Sequence, residues 1–137
     1  MIKVFIDTNI IVDLLIDRKP FSMHATELFQ KAENGTIKLH ASSYSIATTY
    51  YILKRYIEDG KLRQILTDLT DYVEIVSIDS SIIKRGLRSK YKDFEDSLQI
   101  FAAHSIENIE FIVTRNLKDF KEAGVKVLSA DELLLKL

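Results

Sequence analysis

The sequence predicts an α/β fold, a three-layer α/β/α sandwich around a mostly parallel five-stranded sheet. Short β-rich runs alternate along the chain with longer segments of helical periodicity, which is typical of parallel sheets covered on both faces. Hydrophobic residues make up 47% of the chain and charged residues 28%, as in proteins that bury a core. The length of 137 residues fits one domain, so we expect residues 1–137 to form a single domain.

Local patterns predict the strands and helices in chain order. Apolar residues recur at helical spacing over residues 25–32 and again over residues 62–69. Asp79 precedes two serines and a helical pattern over residues 82–87, so it is expected to cap the N-terminus of a helix. The runs that we expect to form strands are residues 3–6, 37–41, 73–78, 110–114 and 125–128.

Composition excludes several classes of protein. The chain has no cysteine, which excludes disulfides, thiolate metal sites and cysteine nucleophiles. Its formal net charge of −1 provides no global basic field, so nucleic-acid binding would need a local patch. The apolar runs are shorter than the ~20 residues of a membrane span, and Asp7 interrupts the first of them. We therefore expect a cytoplasmic protein that does not bind membranes.

Polar residues follow several predicted strands directly. Asp7 follows the first strand, Asp79 follows the third, and Thr114 is the last residue of the fourth. In parallel α/β sheets the functional crevice lies at the carboxyl ends of the strands. Asp7 either caps the next helix or belongs to a site at this edge, and its local sequence allows both.

A second acidic group opens a predicted helix near residue 93. Asp93 and Asp96 are three positions apart and are expected on one helical face, with Glu95 directed elsewhere. Acids in a first turn also complement the helix dipole, which is the purely structural alternative. If these acids meet Asp7, each pair about 4 Å apart repels by about 4 kcal/mol at an effective dielectric of about 20. A bound cation would relieve this repulsion, and an all-oxygen ligand set favours Mg²⁺ or Mn²⁺ over zinc.

Three motifs, in this order, resemble those of the PIN-domain family. They are Asp7-Thr8-Asn9, the helix start Asp93-Phe94-Glu95-Asp96 and the run Thr114-Arg115-Asn116-Leu117-Lys118-Asp119-Phe120. The resemblance covers residues 4–128 and implies a PIN-like fold. It also implies a ribonuclease that depends on Mg²⁺ or Mn²⁺, as in the VapC-like toxins of toxin–antitoxin pairs. The partners it implies are RNA, a small antitoxin protein and a second copy of the chain in a homodimer.

The resemblance assigns site residues one by one. Asp7 matches the first metal-binding acid, Asp96 the acid on the later helix, and Thr114 the hydroxyl residue that supports the site. Asn116 stands where the family usually has a further acid, for which Asp119 can compensate. The expected catalytic residues are Asp7, Asp96, Asn116 and Thr114, and the expected metal ligands are Asp7, Asp96, Asp93 and Asp119.

One departure from the family pattern leaves alternative functions open. Many PIN nucleases carry a glutamate in the helix after the second strand, and counting from Ser42 places Thr48 at that position. A catalytically weakened PIN module that binds RNA or protein is therefore the second hypothesis. A receiver-type domain phosphorylated on Asp79 is the third hypothesis, and it is suggested by the chain length, the α/β alternation and the positions of Asp7, Asp79 and Thr114.

Overall fold

The computed structural model describes residues 1–137 as a five-stranded sheet surrounded by eight helices. The elements in chain order are β1 (Ile2–Ile6), α1 (Thr8–Leu15), α2 (Phe21–Glu33), β2 (Ile37–Ser42), α3 (Ser43–Leu53), α4 (Asp59–Leu69), β3 (Val73–Val76), α5 (Ser80–Arg88), α6 (Phe94–His104), β4 (Phe111–Val113), α7 (Leu117–Phe120), β5 (Lys126–Leu128) and α8 (Ala130–Leu134). All five predicted strands are present, and three of them are one or two residues shorter than the sequence patterns indicated.

The sheet has the order β3-β2-β1-β4-β5 and is parallel throughout. The predicted α/β/α sandwich is thus confirmed, with a fully parallel sheet instead of a mostly parallel one. None of the helices combines the length and the apolar character that crossing a bilayer requires.

Alternating side chains of β1 enter two separate cores. Val4 and Ile6 belong to the larger core, which also contains apolar residues of α1, α2, α4 and α8. Phe5 points to the opposite face and joins a smaller core with Ile100 of α6 and Ile112 of β4. Successive strand residues face opposite sides of a sheet, so a strand covered on both sides is apolar at every position.

The two predicted helical stripes face the larger core. One lies on α2 and the other on α4, and each contributes apolar side chains to the core that also contains residues of β1 and β2. The buried members are Ala25, Leu28 and Phe29 on α2, and Leu62, Leu66 and Leu69 on α4.

The strand order reverses between β1 and β4, which are neighbours in the sheet although helices and two strands separate them in sequence. A reversal of this kind opens a crevice at the carboxyl ends of the two strands. Asp7 and Thr114 follow these two strands directly, so the topology brings them together.

The same topology shows that the receiver hypothesis is wrong. A receiver-like sheet has the order 2-1-3-4-5, whereas β2 and β3 here lie on the same side of β1. Asp79 caps α5, and its Oδ1 accepts a hydrogen bond from the Ile82 N–H at 2.9 Å. Its carboxylate therefore has the structural role of a helix cap, as the sequence predicted.

Candidate active site

Asp7 lies at the reversal point and is held by donors from three parts of the chain. Its Oδ1 accepts from the Thr8 N–H at 2.8 Å and from Gln99 Nε2 at 3.0 Å. Its Oδ2 accepts from the Thr114 hydroxyl at 2.8 Å. Asp7 therefore caps α1, as one of the two alternatives had it, and it also lines a cleft at this edge of the sheet.

Gln99 of α6 connects Asp7 to the second strand and is a residue that the sequence interpretation missed. Its Nε2 donates to Asp7 and to Ser45 Oγ, the latter at 2.7 Å, and its Oε1 accepts from the Ser42 hydroxyl. Gln99 is only 1% exposed. One feature of the sequence could have indicated this role: Gln99 is a single amide side chain in an apolar helical segment, and it lies one turn after Asp96 on the same helical face.

Asp96 lies in the first turn of α6, where its surroundings disfavour the charged form of its carboxyl group. Its pKa is raised to about 7, first because burial penalises the charged form and then because of the negative charges of Asp93, Asp7, Asp119 and Glu95. The main chain beneath it is fixed by Asp93, whose Oδ1 accepts from the Asp96 N–H at 3.0 Å. The charges that act on Asp96 thus come from three different segments of the chain.

A cleft of about 330 Å³ is lined by acidic residues that are far apart in the sequence. Asp7, Glu95 and Asp96 all line it. The expectation that Glu95 is directed elsewhere than Asp96 was wrong, because both line this cleft. Asp93 does not line it: it is the cap residue of α6, and it lies with Asp96 along a second cleft.

A second cleft of about 630 Å³ lies on the other side of Asp96. Asp93 and Asp119 line this second cleft, together with four lysines from the adjoining loops and α7. Asn116 lines neither cleft; it is exposed at the start of α7, and its backbone N–H donates to Thr114 Oγ1 at 3.0 Å. The structure thus brings Asp7, Asp96 and Thr114 together, places Asp93 and Asp119 beside them, and leaves the Asn116 side chain outside.

Thr48 of α3 lines the first cleft together with Tyr44. Burial raises the pKa of the Tyr44 hydroxyl, and the nearby Glu95 carboxylate raises it further. Thr48 stands where many PIN nucleases carry a glutamate, and it lines the same cleft as Asp7 and Asp96.

The oxygen atoms that line the first cleft suit a hard divalent cation. The groups that line the cleft around Asp7 and Asp96 offer carboxylate, hydroxyl and amide oxygens, with no histidine or cysteine. No three or more His, Cys, Asp or Glu side chains are close enough together to form a complete metal cage. Mg²⁺ does not need one, because it keeps several waters and commonly binds only one or two carboxylates. Asp7 and Asp96 fit that requirement.

Comparison with known proteins agrees with this geometry. A family model described as PIN domain matches residues 3–118. The chain belongs to the PIN-domain family. Ribonuclease VapC1 of Aquifex aeolicus is a curated relative with 27% identity over 135 residues, which are 95% of this chain and 92% of the relative.

Several solved structures contain chains with the same architecture. A toxin–antitoxin complex from Klebsiella pneumoniae contains a chain with 25% identity and a TM-score of 0.66, covering 93% of this chain and 97% of that one. VapBC2 from Rickettsia felis, bound to a DNA fragment from its promoter, matches with 19% identity and the same TM-score, covering 93% of this chain and 98% of that one. At this lower identity the likeness shows the fold alone.

Proposed function

We propose that this PIN domain is a divalent-metal-dependent ribonuclease. The observation that carries the proposal is the convergence of Asp7 and Asp96 in one cleft at the reversal point of the sheet. The curated relative named ribonuclease VapC1 supports the reaction class, because it aligns over nearly the whole chain.

Each site residue has a role that follows from its contacts. Asp7 and Asp96 would hold Mg²⁺ or Mn²⁺, with Glu95 beside them in the same cleft. When bound there, the ion would supply an activated water for attack on a phosphodiester and charge stabilisation at the phosphate. Thr114 and Gln99 fix the Asp7 carboxylate through their hydrogen bonds, and the Asn116 N–H holds Thr114 in turn.

Asp93 and Asp119 have a different role in this proposal from the two ligands. They lie on the lysine-lined side of Asp96, and their charges raise its pKa. We infer that they increase the attraction of the site for a cation without having to contact it.

The reaction is tested by incubating a mixed RNA pool with the purified chain. Wild type is expected to cleave with Mg²⁺ or Mn²⁺ and to stop in EDTA, and Asp96→Asn is expected to lose cleavage in all conditions. Asp71→Asn, the same change at an exposed position outside both clefts, should cleave like wild type. Cleavage by Asp96→Asn at the wild-type rate would overturn the assignment of the site.

We also propose that the chain is the toxin of a toxin–antitoxin pair, since the Klebsiella complex that it resembles is such a pair. Induced expression of wild type should arrest bacterial growth, and expression of Asp96→Asn should not. Growth arrest by both proteins would separate toxicity from the proposed nuclease.

A homodimer is a further part of the proposal. Tyr51 at the end of α3 and Tyr56 just after it are 64% and 78% exposed, and aromatic side chains are enriched at protein interfaces. Light scattering of wild type and of Tyr51→Ser measures the mass, and a monomeric wild type would contradict the dimer.

A catalytically weakened PIN module is the second candidate function, because Thr48 contributes no carboxylate to the cleft wall. Calorimetric titration with Mn²⁺ distinguishes the two candidates. A nuclease is expected to bind the ion with an enthalpy that disappears in Asp96→Asn, whereas a module without a metal would show the same trace for both proteins.

A further inference from the structure

Asp13 of α1 is a charged residue that the acidic site does not use. Its side chain is only 1% exposed, although it lies one and a half turns along the helix from Asp7. A buried carboxylate is costly unless hydrogen bonds and an opposite charge compensate it. Asp13 has both, and they come from arginines at the edge of the active-site cleft.

Arg115 provides the closer pairing. Its Nε lies 2.7 Å from Asp13 Oδ2 and its second terminal nitrogen 3.2 Å from Oδ1, a two-pronged contact between a guanidinium and a carboxylate. The guanidinium also lies 4.4 Å from the centre of the Phe21 ring, and the Arg115 N–H donates to Asn9 Oδ1 at 3.3 Å. Side chains of α1 and α2 thus fix Arg115 in one position.

Arg18 is a second cation at the same carboxylate. Its Nε lies 3.6 Å from Asp13 Oδ1, and its side chain is 46% exposed. One guanidinium is enough to neutralise Asp13, so the group of three side chains carries one excess positive charge.

Both arginines line the cleft that contains Asp7, Glu95 and Asp96. Neither forms an ion pair with any of these three acids, because the ion pairs of both arginines are with Asp13. The cleft therefore has an acidic wall and a separate cationic wall. The Arg115 guanidinium donates two of its N–H groups to Asp13, and its other N–H groups remain available for an anionic ligand.

We propose that Arg115 and Arg18 form a phosphate-binding pair that positions the RNA backbone beside the acidic site, with Asp13 as the positioning residue that aims them. This inference rests on the proposed ribonuclease function and adds the residues that bind its substrate. Guanidinium groups match phosphate oxygens with paired hydrogen bonds. A strand bound to the cationic wall lies next to Asp7 and Asp96, where cleavage is proposed to occur.

The test measures binding of a fluorescein-labelled single-stranded RNA by anisotropy over a range of NaCl concentrations. All proteins carry Asp96→Asn, so that the RNA is not cut during the titration. Each phosphate contact that is lost should reduce the slope of log affinity against log salt by about 0.7. We expect Arg115→Gln and Arg18→Gln each to weaken binding severalfold and to reduce this slope.

Arg63→Gln is the matched control. Arg63 pairs with Asp59 through a similar Nε–Oδ2 contact of 2.8 Å, but on the exposed surface of α4, away from the cleft. Its loss removes the same charge from the molecule and should leave both affinity and slope at the level of the parent protein. Equal slopes for Arg115→Gln, Arg18→Gln and Arg63→Gln would overturn the proposal.

Asp13→Asn tests whether Asp13 acts by orienting the two arginines or only through its charge. It removes a negative charge from the cleft edge, so arginines that act only as charges would bind RNA more tightly after the change. If the arginines depend on Asp13 for their orientation, Asp13→Asn would bind RNA less tightly. In the protein that retains Asp96, KM would then rise more than kcat falls. Arg115→Lys retains the charge without the fork and should recover the salt slope only in part. Arg18→Gln keeps the test informative if Asp13→Asn fails to fold, because Arg18 is exposed.

The outcomes distinguish this inference from the proposed function. Cleavage by wild type together with an unchanged salt slope in both arginine variants would overturn the phosphate pair and leave the nuclease standing. Absence of cleavage by wild type together with reduced slopes would support the phosphate pair and overturn the nuclease. Absence of any RNA binding would overturn the phosphate pair.

Discussion

Asp7 and Asp96 line the same cleft but are held in opposite ways. Asp7 is 8% exposed and its two oxygens accept hydrogen bonds from Thr8, Gln99 and Thr114. Asp96 makes no such side-chain hydrogen bond, and burial and neighbouring acids raise its pKa to about 7. One carboxylate is thus fixed as an acceptor, whereas the charge on the other is unfavourable in the metal-free protein. Opposite effects of the same substitution follow from this difference.

Asp96→Asn should stabilise the metal-free protein, and more so as the pH rises. Between the usual value of 3.8 and about 7, folded Asp96 keeps a proton that the unfolded chain has released. Stability therefore falls with rising pH across this window and is not regained above it. The amide variant lacks this loss, so its melting temperature in EDTA should exceed that of wild type by an amount that grows from pH 4 to pH 8. A difference that stays constant with pH would show that Asp96 is not the group responsible.

Asp7→Asn should have the opposite effect and destabilise the protein by about 1–3 kcal/mol. Charge repulsion alone would predict that neutralising either acid leaves the fold intact or slightly more stable. The hydrogen bonds change this expectation for Asp7, because an amide would place its NH₂ group against the donors of Gln99 or Thr114. Urea unfolding in EDTA measures the difference. A variant more stable than wild type would mean that repulsion outweighs the hydrogen bonds.

Thr48→Glu should tighten binding of Mn²⁺ and weaken the metal-free fold. Thr48 lines the cleft with Asp7 and Asp96, so a new carboxylate joins the acids already there. At an effective dielectric of about 20, a charge about 4 Å from the ion contributes a few kcal/mol, in the range of about 4 for a unit pair. Calorimetry gives the affinity and melting in EDTA gives the stability. Thr48→Gln adds the same length without charge, and equal behaviour of the two variants would show that the position faces away from the ion.

At the scale of elements, α5 and α6 approach closely at Gly86. A Cβ built on Gly86 would lie 2.8 Å from Ser97 Oγ and 3.1 Å from Leu98 Cδ2. Both neighbours belong to α6, and Ser97 directly follows Asp96. The small residue on α5 therefore sets how far the helix that carries Asp96 and Gln99 lies from its neighbour.

Gly86→Ala should destabilise the chain by about 1–3 kcal/mol, because the added methyl group has no space without a shift of α6. Gly60→Ala is the control, since its Cβ would meet only the Glu58 carboxylate at 3.2 Å, an exposed cap of α4 that has solvent beside it into which it can shift. Alanine also favours helix over glycine, so Gly60→Ala should be neutral or slightly stabilising. Chemical denaturation of both variants measures the contrast, and equal effects would show that the α5–α6 approach tolerates a methyl group.

At the scale of the whole molecule, the last helix is part of the main core. Leu133 of α8 is fully buried in the same cluster as Val4 of β1 and Leu39 of β2. The family model ends at residue 118, before β5 and α8. We propose that residues 1–137 nevertheless unfold as one unit, since both ends of the chain contribute to one core.

Leu133→Ala should therefore lower the free energy of unfolding by about 2–5 kcal/mol and shift a single transition. Far-ultraviolet circular dichroism reports the backbone and tyrosine fluorescence reports the packing, and the two curves should coincide. Leu135→Ala is the control, because Leu135 is 89% exposed two residues away. Two separate transitions would contradict a single cooperative unit.

The sequence by itself determined the elements and their order. The apolar runs of β1 and β2, the helical stripe around Leu28 and the cap at Asp79 depend on residues a few positions apart. Propensity, periodicity and capping act over that range, so they are visible without a structure. The motifs around Asp7 and Asp96 also sufficed to place the chain in the PIN-domain family.

Only the tertiary structure decided which side chains surround those motifs. Gln99 reaches Asp7 across 92 positions and Arg115 reaches Asp13 across 102. Glu95 enters the cleft that Asp7 lines, although the two residues are far apart in sequence. Contacts of this kind depend on which strands become neighbours and how closely helices approach. Local sequence patterns carry no information about strand neighbours or helix distances, because both arise from the burial of distant segments against one another.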